Sequence, residues 1–538
     1  MRLLELLWKC DSVRGTIIAC LGLLGLTACA TAGIGQESER EVRRPNIILI
    51  LADDMGYSDL GSYGSEIVTP NLDRLASEGL RFRQFYNTAR CSPTRASLLM
   101  GRYPHEVGVG HLTEDFGHPS YQGYLSERGS TIPEALKSFG YRSYAVGKWH
   151  VGDERGHWPL DRGFDRFYGI PAGGGVYFWP PLLDRQLVLD ASVITPPDGW
   201  YSTDAFNDQA VSFIREAHQA GQPFFLYLPH IAPHFPLQAP EHDIARYRER
   251  YREGWDVLRA RRHRRLLEEG LIDDVWKLPP RDPEAPPWEE VKEKEKKQWV
   301  EKMAVYAATI DRMDQGIGRV LNVLDELSIA EHTMVLFLSD NGAEAGHVDR
   351  GRPGAPPGHP DSFMSYDLPW ANLSNTPFRR FKTWVHEGGI ASPLIVRWPE
   401  VISAGSITHE VGHVIDLMPT FLEVAGRSAK WHNSRQQVPL DGRSLLPVLQ
   451  GGSRGAPQPL FWEHEGNRAV RDGRWKAVAA RGGTWELYDL QRDPTEMVDL
   501  AAQHPERVRQ LTHRYEGWAA RVGVLPWEEV QRLRRARQ

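Results

Sequence analysis

The stretch Asn46–Asp54, which reads NIILILADD, decides the fold of this chain. Its apolar residues run without interruption from Ile47 to Ala52 and end at two aspartates. A short apolar run between polar residues is typical of a β-strand that is buried on both faces. Such strands occur in parallel sheets, where helices cover both faces. The stretch therefore predicts an α/β fold, with Asp53 and Asp54 at the carboxyl end of a buried strand.

Further apolar runs alternate with helical patterns along the chain. The runs with strand character are Thr333–Ser339, Ser143–Gly147, Pro223–Leu228 and Pro393–Arg397. Helical patterns cover Asn71–Ser77, Ile132–Ser138, Phe206–Ala220 and Tyr306–Ser328. This alternation predicts a large, mostly parallel sheet that is flanked by helices. Functional side chains are expected at the carboxyl ends of its strands.

The C-terminal part has a different pattern. Residues 451–459 are rich in glycine and proline and predict a linker. Short alternating runs and a helical pattern near Pro505–Val522 follow. We predict a large α/β domain over 45–450 and a small α+β subdomain over 451–538, with an antiparallel sheet and a helix. Residues 241–303 mix charges of both signs, which favours a solvated helical excursion over a binding patch.

Composition excludes two classes of protein. The formal charge of −6 over 538 residues excludes a mainly electrostatic nucleic-acid binder, so no nucleic-acid partner is expected. Of the four cysteines, three lie within the first 29 residues, and the fourth is Cys91. The rest of the chain therefore has no disulfide framework.

The N-terminal residues predict export. Three basic residues precede an uncharged run over 15–28, which is the pattern of a secretory signal peptide: Arg2, Lys9 and Arg14. The sequence Leu26–Cys29 resembles a bacterial lipobox, which implies a signal peptide over 1–28, lipidation of Cys29 and a tether over 29–44. The expected location is the periplasm or the cell surface, with a lipid anchor in the outer membrane. A soluble periplasmic protein and an uncleaved anchor helix are the alternatives.

Cys91 begins the stretch CSPTRASLLMGR, residues 91–102. Pro93 suits the first position of a helix, so we expect Cys91 just before a helix N-terminus, where negative charge is stabilised. Arg95 would project from the first turn, close to the thiol. These features favour a thiolate nucleophile, and a buried structural cysteine is the alternative.

Two polar pairs follow predicted strands. Asp53 and Asp54 follow one strand, and Asp340 and Asn341 follow another. Either pair alone is more typical of a helix cap or a turn. Together at one sheet edge they offer oxygen ligands and three negative charges. This set suits a hard cation, Ca²⁺ or Mg²⁺, rather than zinc.

The stretch from Cys91 resembles the signature of the type I sulfatases, C-x-P-x-R followed by A-x-L-x-x-G-R. Further matches follow in the family's order, at residues 46–56, 147–150, 162–165, 232–234, 339–342, 377–382 and 387–390. The resemblance covers about residues 45–500, and an ordered series of this kind is specific. It implies an arylsulfatase-like member of the alkaline phosphatase superfamily, which hydrolyses a sulfate monoester to an alcohol or phenol plus inorganic sulfate.

The resemblance also implies a modified nucleophile and a metal. A formylglycine-generating or anaerobic maturation enzyme would oxidise Cys91 to Cα-formylglycine, whose aldehyde adds water to give a geminal diol. One diol oxygen would attack sulfur, and the other would later supply the electrons that expel sulfate. The implied metal, most often calcium, would be held by residue 91 and by four side chains, Asp53, Asp54, Asp340 and Asn341.

Roles for the surrounding cations come from the same resemblance. Arg95 would hold the formylglycine and the metal cluster, and Lys148 and Lys382 would hold sulfate oxygens. His150 would accept a proton from the diol, and His234 would contact sulfate and protonate the leaving oxygen. No role is assigned to three other histidines, His230, His386 and His464.

Two rival functions and the substrate remain open. One rival is a formylglycine-dependent phosphonate monoester or phosphodiester hydrolase, and the other is an inactive surface binding lipoprotein. The substrate is expected to be a small sulfate ester or a sulfated saccharide. Pocket walls are expected from residues 101–117, 169–181 and 343–376. The aromatic run within 173–179 would either stack on a substrate ring or serve packing.

Overall fold

The computed structural model describes residues 44–426 and 439–537. The predicted signal peptide, Cys29 and nearly all of the predicted tether lie outside these ranges, so the export predictions stay predictions. Within the described ranges, no helix combines the length and the apolar character that a bilayer crossing requires.

A ten-stranded sheet lies at the centre of the described chain. Its strands are β1 Asn46–Asp53, β2 Leu80–Tyr86, β3 Arg142–Lys148, β4 Arg166–Ile170, β5 Leu187–Leu189, β6 Ser192–Ile194, β7 Phe224–Pro233, β8 Thr333–Ser339, β9 Ala391–Arg397 and β10 Ser406–His413. Their order is β10-β2-β9-β8-β1-β7-β3-β4-β5-β6. The middle, from β8 to β4, is parallel, whereas β9, β5 and β6 run antiparallel to their neighbours. This confirms the predicted mostly parallel sheet.

The quoted run forms β1, whose eight residues are all buried. β1 pairs with β7 on one side and with β8 on the other. Ala52 lies opposite Ser339 of β8, and Asp53 lies opposite Pro233 of β7. The carboxyl ends of the three strands are therefore level, so the polar residues that follow them meet at one edge.

Helices cover both faces of this sheet. The helices of the described residues, not all of which contact this sheet, are α1 Pro70–Ser77, α2 Cys91–Met100, α3 Ile132–Leu136, α4 Ser202–Ala220, α5 Glu241–Ile244, α6 Gly254–Glu268, α7 Glu293–Glu326, α8 Asp367–Ser374, α9 Glu387–Ile390, α10 Leu417–Val424, α11 Leu446–Leu449, α12 Pro505–Val522 and α13 Trp527–Arg537. Ile48 and Ile50 of β1 face a core that α4 and α7 help to form. Ile47 and Leu49 face a second core with α2 and α10. Alternate side chains of β1 therefore pack into two separate hydrophobic cores.

The charged region 241–303 is only partly the solvated excursion that the sequence predicts. One face of α6 is exposed, but Trp255 and Leu258 on the other face enter the core. Arg262 is also buried on that face and pairs with Asp59 at 2.6 Å and Glu66 at 2.7 Å. Arg262 is therefore a charged residue that attaches this helix to the rest of the protein.

A second, four-stranded sheet follows near the C-terminus. Its strands are β11 Leu460–His464, β12 Asn467–Asp472, β13 Trp475–Ala479 and β14 Glu486–Asp489, and all pairs are antiparallel. The predicted helix near 505–522 is present as α12, which contacts β12 and β13. This confirms the α+β character that the sequence predicts. The boundary at residue 450 falls in the connection between the sheets and stays a prediction.

Candidate active site

The carboxyl ends of β1 and β8 bring the four candidate metal ligands together. The backbone N–H of Asp54 donates to Asp340 Oδ1 at 3.1 Å. Asn341 Nδ2 donates to Asp54 Oδ1 at 2.6 Å. These three side chains and Asp53 are all fully or almost fully buried. The two polar pairs therefore form one cluster beneath the sheet edge.

This cluster fits a hard divalent cation. Asp53 Oδ1 and Asn341 Oδ1 are buried and have no hydrogen-bond partner. Asp53, Cys91 and Asp340 each place a ligand atom within 4.8 Å of the other two. Burying unpartnered polar oxygens is costly unless a positive charge compensates them. Oxygen donors in this arrangement match the preference of Ca²⁺ or Mg²⁺.

Cys91 is the first residue of α2, and its side chain is 2% exposed. The helix therefore begins earlier than predicted: Arg90 takes the N-cap position, and Pro93 lies within the first turn. Thr94 Oγ1 accepts from the backbone N–H of Thr88 at 3.0 Å, which holds the preceding loop against the helix. The start of α2 favours negative charge at residue 91.

Arg95 ties three elements together from the first turns of α2. Its Nε and Nη2 both donate to Asp340 Oδ2, at 3.1 and 2.8 Å. Its Nη1 donates to the carbonyl oxygen of Lys148 at 2.7 Å. The side chain is fully buried. Arg95 therefore fixes the helix that carries Cys91 to the ends of β8 and β3.

Both predicted lysines stand beside candidate ligands. Lys148 Nζ donates to Asp53 Oδ2 at 2.5 Å, and Lys382 Nζ donates to Asp54 Oδ2 at 2.7 Å. Burial alone would raise the pKa of Asp53, but Lys148, His234 and other cations hold that pKa well below its usual range. The site thus keeps this buried carboxylate ionised.

His150 follows β3 in a left-handed conformation, with φ of 59°. Its Nδ1 is buried and has no hydrogen-bond partner. Burial, reinforced by Lys148 and Arg95, lowers the pKa of His150 well below its usual value. A Cβ at Gly173 would lie 2.9 Å from His150 Nε2, so a larger residue there would displace the ring. The imidazole is therefore neutral.

His234 follows β7 and faces the same cluster. Its Nδ1 lies 2.5 Å from the carbonyl oxygen of Phe235, so this nitrogen carries a proton and donates it. Its Nε2 lies 3.5 Å from Asp54 Oδ2. Burial lowers the pKa of His234, although the carboxylates of Asp54 and Asp53 act in the opposite direction.

The structure also brings charged residues to the site that sequence reasoning missed. Glu344 Oε2 lies 3.2 Å from Lys382 Nζ. The sequence signal for Glu344 is its position shortly after Asp340 and Asn341, the polar pair that follows β8. Burial alone would lower the pKa of Arg90, beside Cys91, but the charges of Glu344 and Glu465 contribute to raising that pKa above its usual value. Glu465 comes from the second sheet, and no sequence pattern places it here.

Comparisons with known proteins agree with this arrangement. A family model described as Sulfatase matches residues 45–427. A model described as N-sulphoglucosamine sulphohydrolase, C-terminal, matches residues 379–517. The chain is 35% identical over 532 residues to an uncharacterized sulfatase of Schizosaccharomyces pombe, covering 90% of this chain and 95% of the relative. It is 33% identical over 447 residues to the arylsulfatase of Klebsiella aerogenes, covering 78% and 94%.

A solved structure extends the similarity to the whole fold. The crystal structure of Ps i-CgsB in complex with k-i-k-neocarrahexaose aligns with a TM-score of 0.68 at 27% identity, covering 89% of this chain and 93% of that one. The first family model spans more than half of the chain, and both relatives exceed 30% identity over most of their length. The chain therefore belongs to the sulfatase family of sulfuric ester hydrolases.

Proposed function

We propose that this protein hydrolyses a sulfate monoester to an alcohol or phenol and inorganic sulfate, with formylglycine made from Cys91 as its nucleophile. One observation carries the proposal: Cys91 lies at a helix start within 4.8 Å of carboxylate oxygens of Asp53 and Asp340. A sulfatase needs both a nucleophile and positive charge around it, and two lysines and Arg95 supply that charge at the same edge.

The cations in this proposal hold the sulfate group. Charge on a sulfate ester moves toward the leaving oxygen in the transition state, so fixed cations around the group lower the barrier. The ammonium groups of Lys148 and Lys382 act as point charges that hold sulfate oxygens. Arg95 keeps the helix of residue 91 aligned with Asp340, which maintains the attack geometry.

The two histidines move protons. His150 faces the site with a buried Nδ1 that has no hydrogen-bond partner, and it accepts the proton of the nucleophile's hydroxyl when the covalent sulfate is released. His234 faces Asp54 with Nε2, and this nitrogen supplies a proton to the leaving oxygen when the ring is doubly protonated, a form that the carboxylates of Asp54 and Asp53 favour.

We propose Ca²⁺ as the bound metal, with Mg²⁺ as the alternative. Its ligands would be Asp53, Asp54, Asp340, Asn341 and the side chain of residue 91. The cation would lower the pKa of the nucleophile's hydroxyl and polarise the sulfate oxygens. Chelation should remove activity, and re-addition of each metal separately should show which one restores it.

Mass spectrometry tests the nucleophile. A peptide that contains residue 91 should lose about 18 Da relative to the unmodified cysteine, since the thiol becomes an aldehyde. The proposed mechanism requires a partner that oxidises Cys91, either a formylglycine-generating enzyme or an anaerobic maturation enzyme. Unmodified cysteine in protein from the native host would contradict the mechanism and would favour the inactive surface lipoprotein.

Parallel assays test the reaction. Wild type with its formylglycine formed should release sulfate from 4-nitrophenyl sulfate or from sulfated sugars, and Cys91→Ala should not. Bis(4-nitrophenyl) phosphate should react more slowly than the best sulfate ester. A dominant phosphodiesterase rate would replace this proposal with the phosphonate monoester or phosphodiester hydrolase.

We also propose that the protein is exported and anchored through a lipid on Cys29. The basic residues, the apolar run and the lipobox-like Leu26–Cys29 support this. Fatty-acid labelling should mark the wild type and not Cys29→Ala. Unlabelled wild type in the soluble periplasmic fraction would support cleavage by ordinary signal peptidase instead.

A further inference from the structure

The turn between β11 and β12 lies against the loop that carries His105 and His111. Glu463, just before this turn, pairs with His105 at 2.9 Å and accepts from the backbone N–H of Gly466 at 2.7 Å. Trp527 of α13 lies on another side, with its ring centroid 5.5 Å from that of His111. Three segments that are far apart in the sequence therefore meet at this turn.

The turn has an unusual occupant. It consists of Glu465 and Gly466, with φ of 52° and 86°, and His464 pairs with Asn467 on its two sides. Positive φ at both central residues defines a type I′ turn, which favours asparagine, aspartate or glycine. Glutamate is strained in the left-handed region, and strain of this kind is found at functional sites. The choice of glutamate therefore needs an explanation other than the turn itself.

Two histidines flank the carboxylate of Glu465. Its Oε1 lies 3.2 Å from His111 Nε2 and 3.7 Å from His464 Nε2. One ligand atom of each of the three side chains lies within 4.8 Å of the other two, and the two ring centroids are 5.6 Å apart. Ligand atoms on one tetrahedral zinc are about 3.4 Å apart, and two imidazoles on it have centroids about 5 Å apart. The three side chains therefore have the spacing of ligands to a single cation.

Hydrogen bonds within the protein do not account for these histidines. His464 is fully buried, and neither of its ring nitrogens has a hydrogen-bond partner in the described part of the chain. His111 is 4% exposed and pairs with Glu465 through Nε2 only, since its Nδ1 has no such partner among the same residues. Burial of polar nitrogens without partners is costly. A cation between the three side chains would give His464 the partner that it lacks.

We propose that His111, His464 and Glu465 bind one divalent cation of the zinc type. Imidazole nitrogens suit Zn²⁺, whereas Ca²⁺ and Mg²⁺ prefer ligand sets made of oxygen. The Glu465 side chain is 27% exposed, so water can complete the coordination. Within residues 44–426 and 439–537, the other two groups of three such ligands both contain Asp53 of the candidate active site. The proposed cation is therefore a second one, and it joins the turn of the small sheet to the loop of the large domain.

Calorimetric titration of the full chain with Zn²⁺ tests the site, with Ca²⁺ at a saturating concentration to fill the candidate active site. Wild type should bind one Zn²⁺ at this site. Glu465→Gln is the main variant because its side chain is partly exposed, and His464→Gln is the second. Each should weaken the affinity at least about 100-fold, since even residues that only orient a ligand contribute 10- to 100-fold. Zn²⁺ at about 100 times its Kd should raise the Tm of wild type by about 2–3 °C and leave that of Glu465→Gln unchanged.

Glu463→Gln is the matched control. It alters a pair between one histidine and one carboxylate that links the same two segments, and its remaining oxygen can still accept from the N–H of Gly466. Its Zn²⁺ affinity should stay within about three-fold of wild type. A wild type that binds no Zn²⁺, an affinity that is unchanged in both Glu465→Gln and His464→Gln, or an equally large loss in Glu463→Gln would each overturn the inference.

Discussion

Each buried carboxylate of the site has its own cation. Asp53 pairs with Lys148, Asp54 with Lys382, and Asp340 with Arg95. A buried charge without a partner costs several kcal/mol. Removing one member of a buried pair therefore lowers the free energy of unfolding by more than the intact pair contributes to it. The geometry around residue 91 therefore depends on single side chains.

Arg95→Lys isolates the role of the guanidinium. Lysine keeps the charge but has no planar fork, so it loses at least one of the bonds to Asp340 and to the Lys148 carbonyl oxygen. We expect kcat/KM to fall about 100-fold through misalignment of the helix. The free energy of unfolding should fall by about 3 kcal/mol, because Asp340 is left poorly paired. Steady-state kinetics and urea denaturation measure the two effects.

Arg74→Lys is the control for this substitution. Arg74 pairs with Asp325 at 3.0 Å in an exposed position. Its change should alter the unfolding free energy by less than about 0.5 kcal/mol and leave kcat/KM unchanged. Similar losses in the two variants would show that the buried fork at Arg95 has no special role.

At the scale of elements, the sequence predicts best where strands are buried on both faces. β1 and β8 match their predicted runs closely because their interiors, residues 47–52 and 334–338, are continuously apolar and buried. β2 and β10 were not predicted. β2 reads LRFRQFY, with half-exposed polar residues among apolar ones, and β10 is an edge strand that is mostly not buried. Neither has a continuous apolar run.

Helix α7 and the turn at Glu465 show what local patterns omit. α7 begins at Glu293, well before the predicted Tyr306, because its first residues are charged and resemble a solvated segment. The metal-ligand candidates could be placed together from the sequence because strand ends share one edge. The turn at Glu465 approaches the segment before Cys91 through docking of the two sheets, where Trp462 Nε1 donates to the carbonyl oxygen of Asn87, and no local pattern encodes that docking.

Arg262→Ala tests whether a single buried charge anchors α6. Its loss leaves Asp59 fully buried without its cation, and leaves Glu66 nearly so. We expect the free energy of unfolding to fall by about 3–5 kcal/mol, measured by urea denaturation. Arg261→Ala, on the same helix in an exposed pair with Glu253, should change it by less than about 1 kcal/mol. Equal effects would mean that apolar packing alone holds the helix.

At the scale of the whole molecule, a buried ion cluster joins the second sheet to the site. Lys476 of β13 is fully buried, and its Nζ lies 2.7 Å from Glu387 Oε1 and 2.8 Å from Glu496 Oε1. Glu387 begins α9, and its other oxygen accepts from Tyr86 of β2 at 2.7 Å. The cluster therefore connects β13 to the large sheet, so the small sheet contributes to the stability of the catalytic part.

Lys476→Met tests this connection through its pH dependence. The substitution leaves two buried carboxylates without their cation, and the pKa of Glu496, which Lys476 now lowers against the effect of burial, should rise above the unfolded value. Groups with raised folded-state pKa stabilise the protein at low pH, and this stability is lost as pH rises. We expect a loss of about 3–5 kcal/mol at pH 8 relative to wild type, and a smaller loss at pH 5. Lys292→Met, which removes an exposed pair with Glu295, should cost less than about 1 kcal/mol at either pH. Urea denaturation at both pH values measures these losses in the free energy of unfolding. An equal loss at pH 5 and pH 8 would assign the effect to the packing of the Lys476 side chain rather than to its charge.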